Sequence, residues 1–191
     1  MNLSGTVIDV ASMMREEKTI PVIKVNTPNI GGLLNKSITE IDESYFYNSA
    51  TDYYIKNTGE YAFRNCYSLN KVTLPEGITH ISMSSFESCN ELTSVNLPNS
   101  VEFLNERCFC DTGLTSLKIP RGVKEIHSYA LGECFYLRNV TFNSKPTNLD
   151  KMAFEGCATL TTINVPWSEG EVANAPWGAT NATINYNYTG E

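Results

Sequence analysis

The sequence predicts a solenoid, a short array of stacked coils that each add one strand to a parallel sheet. Three observations predict it. The motif F-x-x-C-x-x-L-x-x-V-x-L-P recurs at a period of 22–23 residues. A second apolar pair lies between successive copies. Within L-x-x-V-x-L the apolar positions alternate, as a half-buried strand requires.

The copies stand in one register. Phe63, Cys66, Leu69, Val72, Leu74 and Pro75 open it, and Phe86, Cys89, Leu92, Val95, Leu97 and Pro98 follow 23 residues later. The third copy has Phe109, Leu114, Leu117, Ile119 and Pro120, with one residue deleted and Thr112 interrupting the cysteine register. The fourth has Leu131, Cys134, Leu137, Val140 and Phe142, and the fifth Phe154, Cys157, Leu160, Ile163, Val165 and Pro166. The intervening pairs are Ile78/Ile81, Val101/Leu104, Val123/Ile126 and a weaker Pro146/Leu149. Upstream, Ile38, Ile41 and Phe46 are spaced like Ile78, Ile81 and Phe86, so the array is expected to begin near residue 38, with an insertion from Asn48 to Glu60. One coil cannot bury its own apolar face. Coils stacked about 4.8 Å apart make a parallel sheet and one continuous core. Proline then closes most strands, because it cannot donate to the ladder.

A period of this length lies in the leucine-rich-repeat range. The expected fold is therefore a leucine-rich-repeat solenoid of about five to six coils. It has a parallel β-sheet face, short turns or 3-10 segments on the other side, and caps at both ends. Residues 1–37 read as an N-terminal cap or attachment segment, with strand-like "TVIDV" and "TIPVIKV". Residues 38–166 are the solenoid, with a degenerate first coil over 38–60. Residues 167–191 are a C-terminal cap, in which Trp167 and Trp177 can seal the last coil and "ATINYNY" forms a final strand.

The repeated motif resembles the BspA-type leucine-rich repeats of bacterial surface and phage-associated proteins. The resemblance covers roughly residues 61–166, with the degenerate extension back to 38. It implies the fold and leaves the partner open, because the family's repeat positions are structural. Many members carry I-G before the aromatic turn; here Ser82, Asn105, His127 and Asp150 replace that glycine. The tail, with P-W-S-E-G and A-P-W-G-A-T-N-A-T-I, resembles the closing segment of repeat proteins from phage and prophage structural genes.

Composition narrows the function. The net charge is −7 and no basic run occurs, which argues against binding nucleic acid or an anionic membrane. No apolar run of 18 residues exists, so no membrane insertion is expected. No signal peptide is visible. Localisation is therefore left open between cytoplasmic synthesis with release on a virion and, where a leader has been removed, the cell surface.

Tests for chemistry return little. Cys108-Phe109-Cys110 is spaced poorly for zinc and no second pair follows. The two histidines, His80 and His127, fall on turns away from the cysteine register. Glu87, Glu91, Glu102 and Glu106 read as a solvated acidic face. No nucleotide-binding glycine motif occurs. Catalytic residues, cofactors and metal sites are each expected to be none, and the chain is expected not to be an enzyme. The in-register cysteines have parallel Cβ vectors, poor for disulfides, so free buried thiols are expected. Cys110 alone takes a slot otherwise held by Arg64, Glu87, Gly132 and Glu155, and is expected to be the one exposed thiol.

Function is then expected on the outward positions of the strands. These are Asn70, Lys71, Thr73, Thr93, Ser94, Asn96, Thr115, Ser116, Lys118, Arg138, Asn139, Thr141, Thr161, Thr162 and Asn164. Twelve are Ser, Thr or Asn, the rest are Lys or Arg, and none is acidic. They suit a hydrogen-bonding surface for a glycan, a polar peptide or an acidic protein face. The reading is a non-enzymatic, adhesion-type recognition module with a protein or glycan partner. The alternative is a phage or prophage structural protein, associated with the tail or virion. In that case the ends, or the tyrosine-rich segment Tyr45 to Tyr61, dock it to the particle.

Overall fold

The computed structural model describes residues 38–48, 53–54 and 56–190. The expected N-terminal cap or attachment segment, residues 1–37, lies outside the described residues. In chain order the strands are β1 (Glu40–Ile41), β2 (Tyr47–Asn48), β3 (Tyr53–Tyr54), β4 (Lys71–Val72), β5 (His80–Ile81), β6 (Phe103–Leu104), β7 (Ser116–Ile119), β8 (Glu125–Ile126), β9 (Asn139–Phe142), β10 (Asn148–Leu149), β11 (Thr162–Asn164) and β12 (Thr183–Asn185). A 3-10 turn, Glu43–Phe46, follows β1.

The strands form two parallel ladders, one on each edge of the coil. The L-x-x-V-x-L edge pairs β7, β9, β11 and β12 in that order, with Leu117, Val140, Ile163 and Ile184 in one row. The second apolar pair builds the other ladder, β5, β6, β8 and β10, with Ile81, Leu104, Ile126 and Leu149 in one row. No strand in either ladder exceeds four residues. Stability therefore comes from stacking rather than from any single strand. Each row is buried, apart from half-buried Ile184 on the end strand, because alternate side chains point between the ladders into one core. Phe63, Phe86 and Phe109 stack face to face down that core, with centroids 5.2 and 5.3 Å apart.

The turn that replaces the missing glycine is now explicit. The left-handed residues are Ser84, Arg107 and Tyr129, two positions after Ser82, Asn105 and His127. A second left-handed residue precedes the cysteine register, at Asn65, Ser88, Asp111 and Glu133. Only glycine adopts this backbone freely. Here the strain is offset by coil-to-coil bonds, such as Asn65 N–H to the Glu87 carbonyl at 2.8 Å and Glu133 N–H to the Glu155 carbonyl at 2.7 Å.

The first coil departs from the expected register. Ile41 does not join the Ile81 row; it pairs with Val72, on the longer edge. The Ile81 edge of that coil is supplied instead by residue 57, which bridges to His80. Between the two edges lies the antiparallel β2–β3 pair, Tyr47 opposite Tyr54. The insertion therefore sits within a coil, and the Ile38/Ile41 spacing coincided with another row.

At the far end, β12 continues the sheet beyond Pro166. Trp177 is fully buried and Trp167 nearly so, with ring centroids 6.3 Å apart. Phe142 packs edge-on against Trp167 at 5.1 Å.

Candidate binding face

The cysteines come first, because they decide whether thiol chemistry is accessible. All six are free and buried. Cys89, Cys134 and Cys157 each donate their thiol to a carbonyl of the preceding coil, on Phe63, Phe109 and Leu131, at 2.9–3.2 Å. Thr112 fills the gap in the register, donating to the Phe109 carbonyl at 2.9 Å and contacting the Cys134 sulfur at 3.3 Å. The column thus wants a small side chain with one donor, which serine, threonine or cysteine can supply. Burial pushes the Cys66 thiol up to about 11.

Cys110 corrects the sequence reading. It is fully buried, and burial pushes its thiol up to about 12. Its slot is not uniformly exposed. Arg64 stands at the outer coil, but Glu87 and Gly132 on either side of Cys110 are buried. At the same slot Glu155 is half-buried.

Glu87 is the second correction, since it is not part of a solvated face. Its carboxylate lies 3.0 Å from both Arg64 Nε and Arg107 Nε, on the two neighbouring coils. The two guanidiniums in turn lie over the rings of Tyr61 and Tyr129. The histidines are half-buried. His80 stacks on Phe103 at 4.4 Å, and His127 faces Glu125 at 3.4 Å.

The strand face holds the fifteen expected residues. Thr141, Thr162 and Asn164 are half-buried and the others exposed. Register sets them in rows: Ser116, Asn139 and Thr162 in one, Lys118, Thr141 and Asn164 in the next. Thr183 and Asn185 of β12 extend these two rows, and sequence reasoning left them out. The amides cross-link the second row, Asn185 to Asn164 at 2.8 Å and Asn164 to Thr141 at 3.2 Å. Thr93, Thr115, Arg138 and Thr161 form a further line. Thr115 donates to the Thr93 carbonyl at 3.4 Å and Thr161 to the Arg138 carbonyl at 3.3 Å. The remaining members, Asn70, Lys71, Thr73, Ser94 and Asn96, lie on the earlier coils, where Thr73 bridges to Asn96.

One of the three cations is committed. β1 brings Glu40 beside Lys71, and the two side chains form an ion pair. An acid therefore does sit on this face. Among the described residues, Lys118 and Arg138 form no ion pair.

With this geometry in hand, comparison with known proteins places the chain. A family model for the BspA type leucine rich repeat region matches residues 56–175 in six copies. The chain belongs to the BspA-type leucine-rich repeat family. Two solved structures are similar to it. A leucine-rich repeat protein from Bacteroides ovatus is 26% identical with a TM-score of 0.54, over 66% of this chain and 31% of that one. The T. pallidum leucine rich repeat protein is also 26% identical with a TM-score of 0.54, over 67% of this chain and 65% of that one. The chain thus spans less than two thirds of either protein's length. No curated protein sequence matches it. Within the BspA-type coil, the thiol column and aromatic stack are consumed by folding. The strand face keeps its polar groups at the surface.

Proposed function

We propose that this chain is a non-enzymatic recognition module that binds a protein or glycan partner through the polar face of its longer strand ladder. The observation that carries the reading is the pair of cations on that face, Lys118 and Arg138, exposed and outside every ion pair among the described residues. Lys56, Arg121 and Lys151 are likewise exposed and outside every ion pair among the described residues, but they lie outside the strand-face positions, where the third cation, Lys71, is held by Glu40. Solenoids built from stacked repeats present extended surfaces of this kind for binding. Burial of all six thiols supports a role without thiol catalysis. The test is a glycan array and a pull-down, read with the wild-type chain and with Lys118→Glu plus Arg138→Glu. Loss of the wild-type signal in the double variant supports the strand face. An unchanged signal sinks it.

A further inference from the structure

Phe135 and Tyr136 are 52% and 64% exposed, two adjacent aromatics open to solvent on a coil whose other large apolar groups are buried or, at Tyr129, half-buried. Their surroundings are unusual for the array. Each coil has two residues between the cysteine register and the next leucine: Tyr67-Ser68, Asn90-Glu91, Phe135-Tyr136 and Ala158-Thr159. The third coil has only one, Gly113, because a residue is missing there. That glycine cannot become larger, since a Cβ would stand 2.1 Å from the Asn90 carbonyl oxygen. The aromatic pair therefore rises between a coil that is one residue short and a coil carrying only alanine and threonine. Its ring faces have no bulky neighbour in either flanking coil at these positions.

The pair also adjoins the strand face. Leu137 turns inward and Arg138, exposed and outside every ion pair among the described residues, comes next. Thr115 and Thr161 flank Arg138 on the adjacent coils, and the Thr161 hydroxyl is already spent on the Arg138 carbonyl. Lys118 stands one coil away and roughly 10 Å along the strand direction. The patch thus holds two aromatics, a free guanidinium and a rim of Ser, Thr and Asn. Aromatics and arginine at the centre with a polar rim is the composition of an interface hot spot.

We propose that Phe135, Tyr136 and Arg138 form the anchor of a protein-docking surface. Its partner is an acidic protein segment that lays an apolar side chain on the two rings and a carboxylate on Arg138. The charge argument favours an acidic partner: the local cations are uncompensated although the chain carries −7. The fork of the guanidinium matches a carboxylate in two hydrogen bonds. This inference rests on the strand-face reading above and narrows it to one partner class and to the residues that lead into β9.

The experiment uses the whole chain and an array of synthetic nine-residue peptides, with and without Asp or Glu and with and without Phe or Leu. The wild type is expected to prefer peptides carrying both an acid and an apolar residue. Phe135→Ser with Tyr136→Ser should weaken that binding by about tenfold or more, as loss of a hot-spot anchor does. Tyr136→Phe should retain it. Arg138→Glu should move the preference from acidic to basic peptides. Melting curves should be unchanged for all three, because the altered side chains are exposed. Absence of peptide binding by the wild type overturns the proposal. So does binding that is lost in Lys118→Glu plus Arg138→Glu but kept in the serine variant, a result that leaves the strand-face reading intact. A second array of carboxylated oligosaccharides is run beside it. Binding there that the serine variant abolishes overturns the protein assignment in favour of a glycan.

Discussion

Two groups of charges on the coil stand in opposite relations to the fold. On the turn side, Glu87 lies buried between Arg64 and Arg107, and Arg107 reaches toward Glu133 at 4.0 Å. On the strand side, Lys118 and Arg138 stand exposed without an ion partner among the described residues. The first arrangement is part of the folded state, because a carboxylate taken out of water must be paired. The second is tied to no carboxylate among the described residues. Charge that the fold consumes and charge that it leaves over can be told apart by what their removal costs.

Four measurements would break or sharpen this contrast. Glu87→Lys should have the largest effect, about 3 kcal/mol or more in urea unfolding, because it buries a third cation between two arginines. Glu87→Gln should cost about 1–3 kcal/mol, discounted because both guanidiniums keep access to water. A loss below a few tenths for either would mean that the turn-side network is no more structural than the strand-side cations.

The thiol column gives the second measurement, through pH. Folding raises the Cys66 thiol to about 11 and Cys110 to about 12, from an ordinary value of 9.0, chiefly because burial strips the thiolate of water. The folded state therefore holds these protons more tightly than the unfolded chain. The stability this represents is fully present below pH 9 and is lost as pH rises through about 11–12. Melting temperatures should be flat in this respect up to pH 9 and fall steadily above it. Iodoacetamide at pH 8 should label the native chain at no cysteine, and all six after unfolding. Rapid native labelling of Cys110 would restore the expectation drawn from sequence and count against its burial.

Smaller effects test the strand side. Lys71→Ala breaks an exposed pair with Glu40 and should cost less than about 1 kcal/mol. Lys118→Ala and Arg138→Ala should each lie within about 0.5 kcal/mol of the wild type. A large loss at Arg138 would show that the fold does use it, and would remove the reason for assigning it to a partner.

Much of the fold was legible in the sequence. The rows Leu117, Val140 and Ile163, and Ile81, Leu104 and Ile126, follow from spacing, since identical coils stacked in register must align identical positions. The same logic identified Cys66, Cys89, Cys134 and Cys157 as packing residues, and their burial agrees. The strand-face positions were legible as outward, and they are exposed or half-buried. The aromatic pair was less so. Phe135 and Tyr136 differ from Ala158 and Thr159 only in kind, and the signal that could have found them was the deletion at Gly113.

The sequence by itself determined the period, the inward rows and the chemistry of the thiol column, because a translational repeat turns spacing directly into stacking. The tertiary structure alone decided how the irregular first coil stacks. Glu40 meets Lys71 across 31 residues because Ile41 pairs with Val72, not with the Ile81 row to which its spacing assigned it. Cys110 and Glu87 are buried in a slot that is open at Arg64 and half-buried at Glu155. Register says which residues share a row. Burial and pairing depend on the neighbours a row happens to have, and those are set only when the coils are stacked.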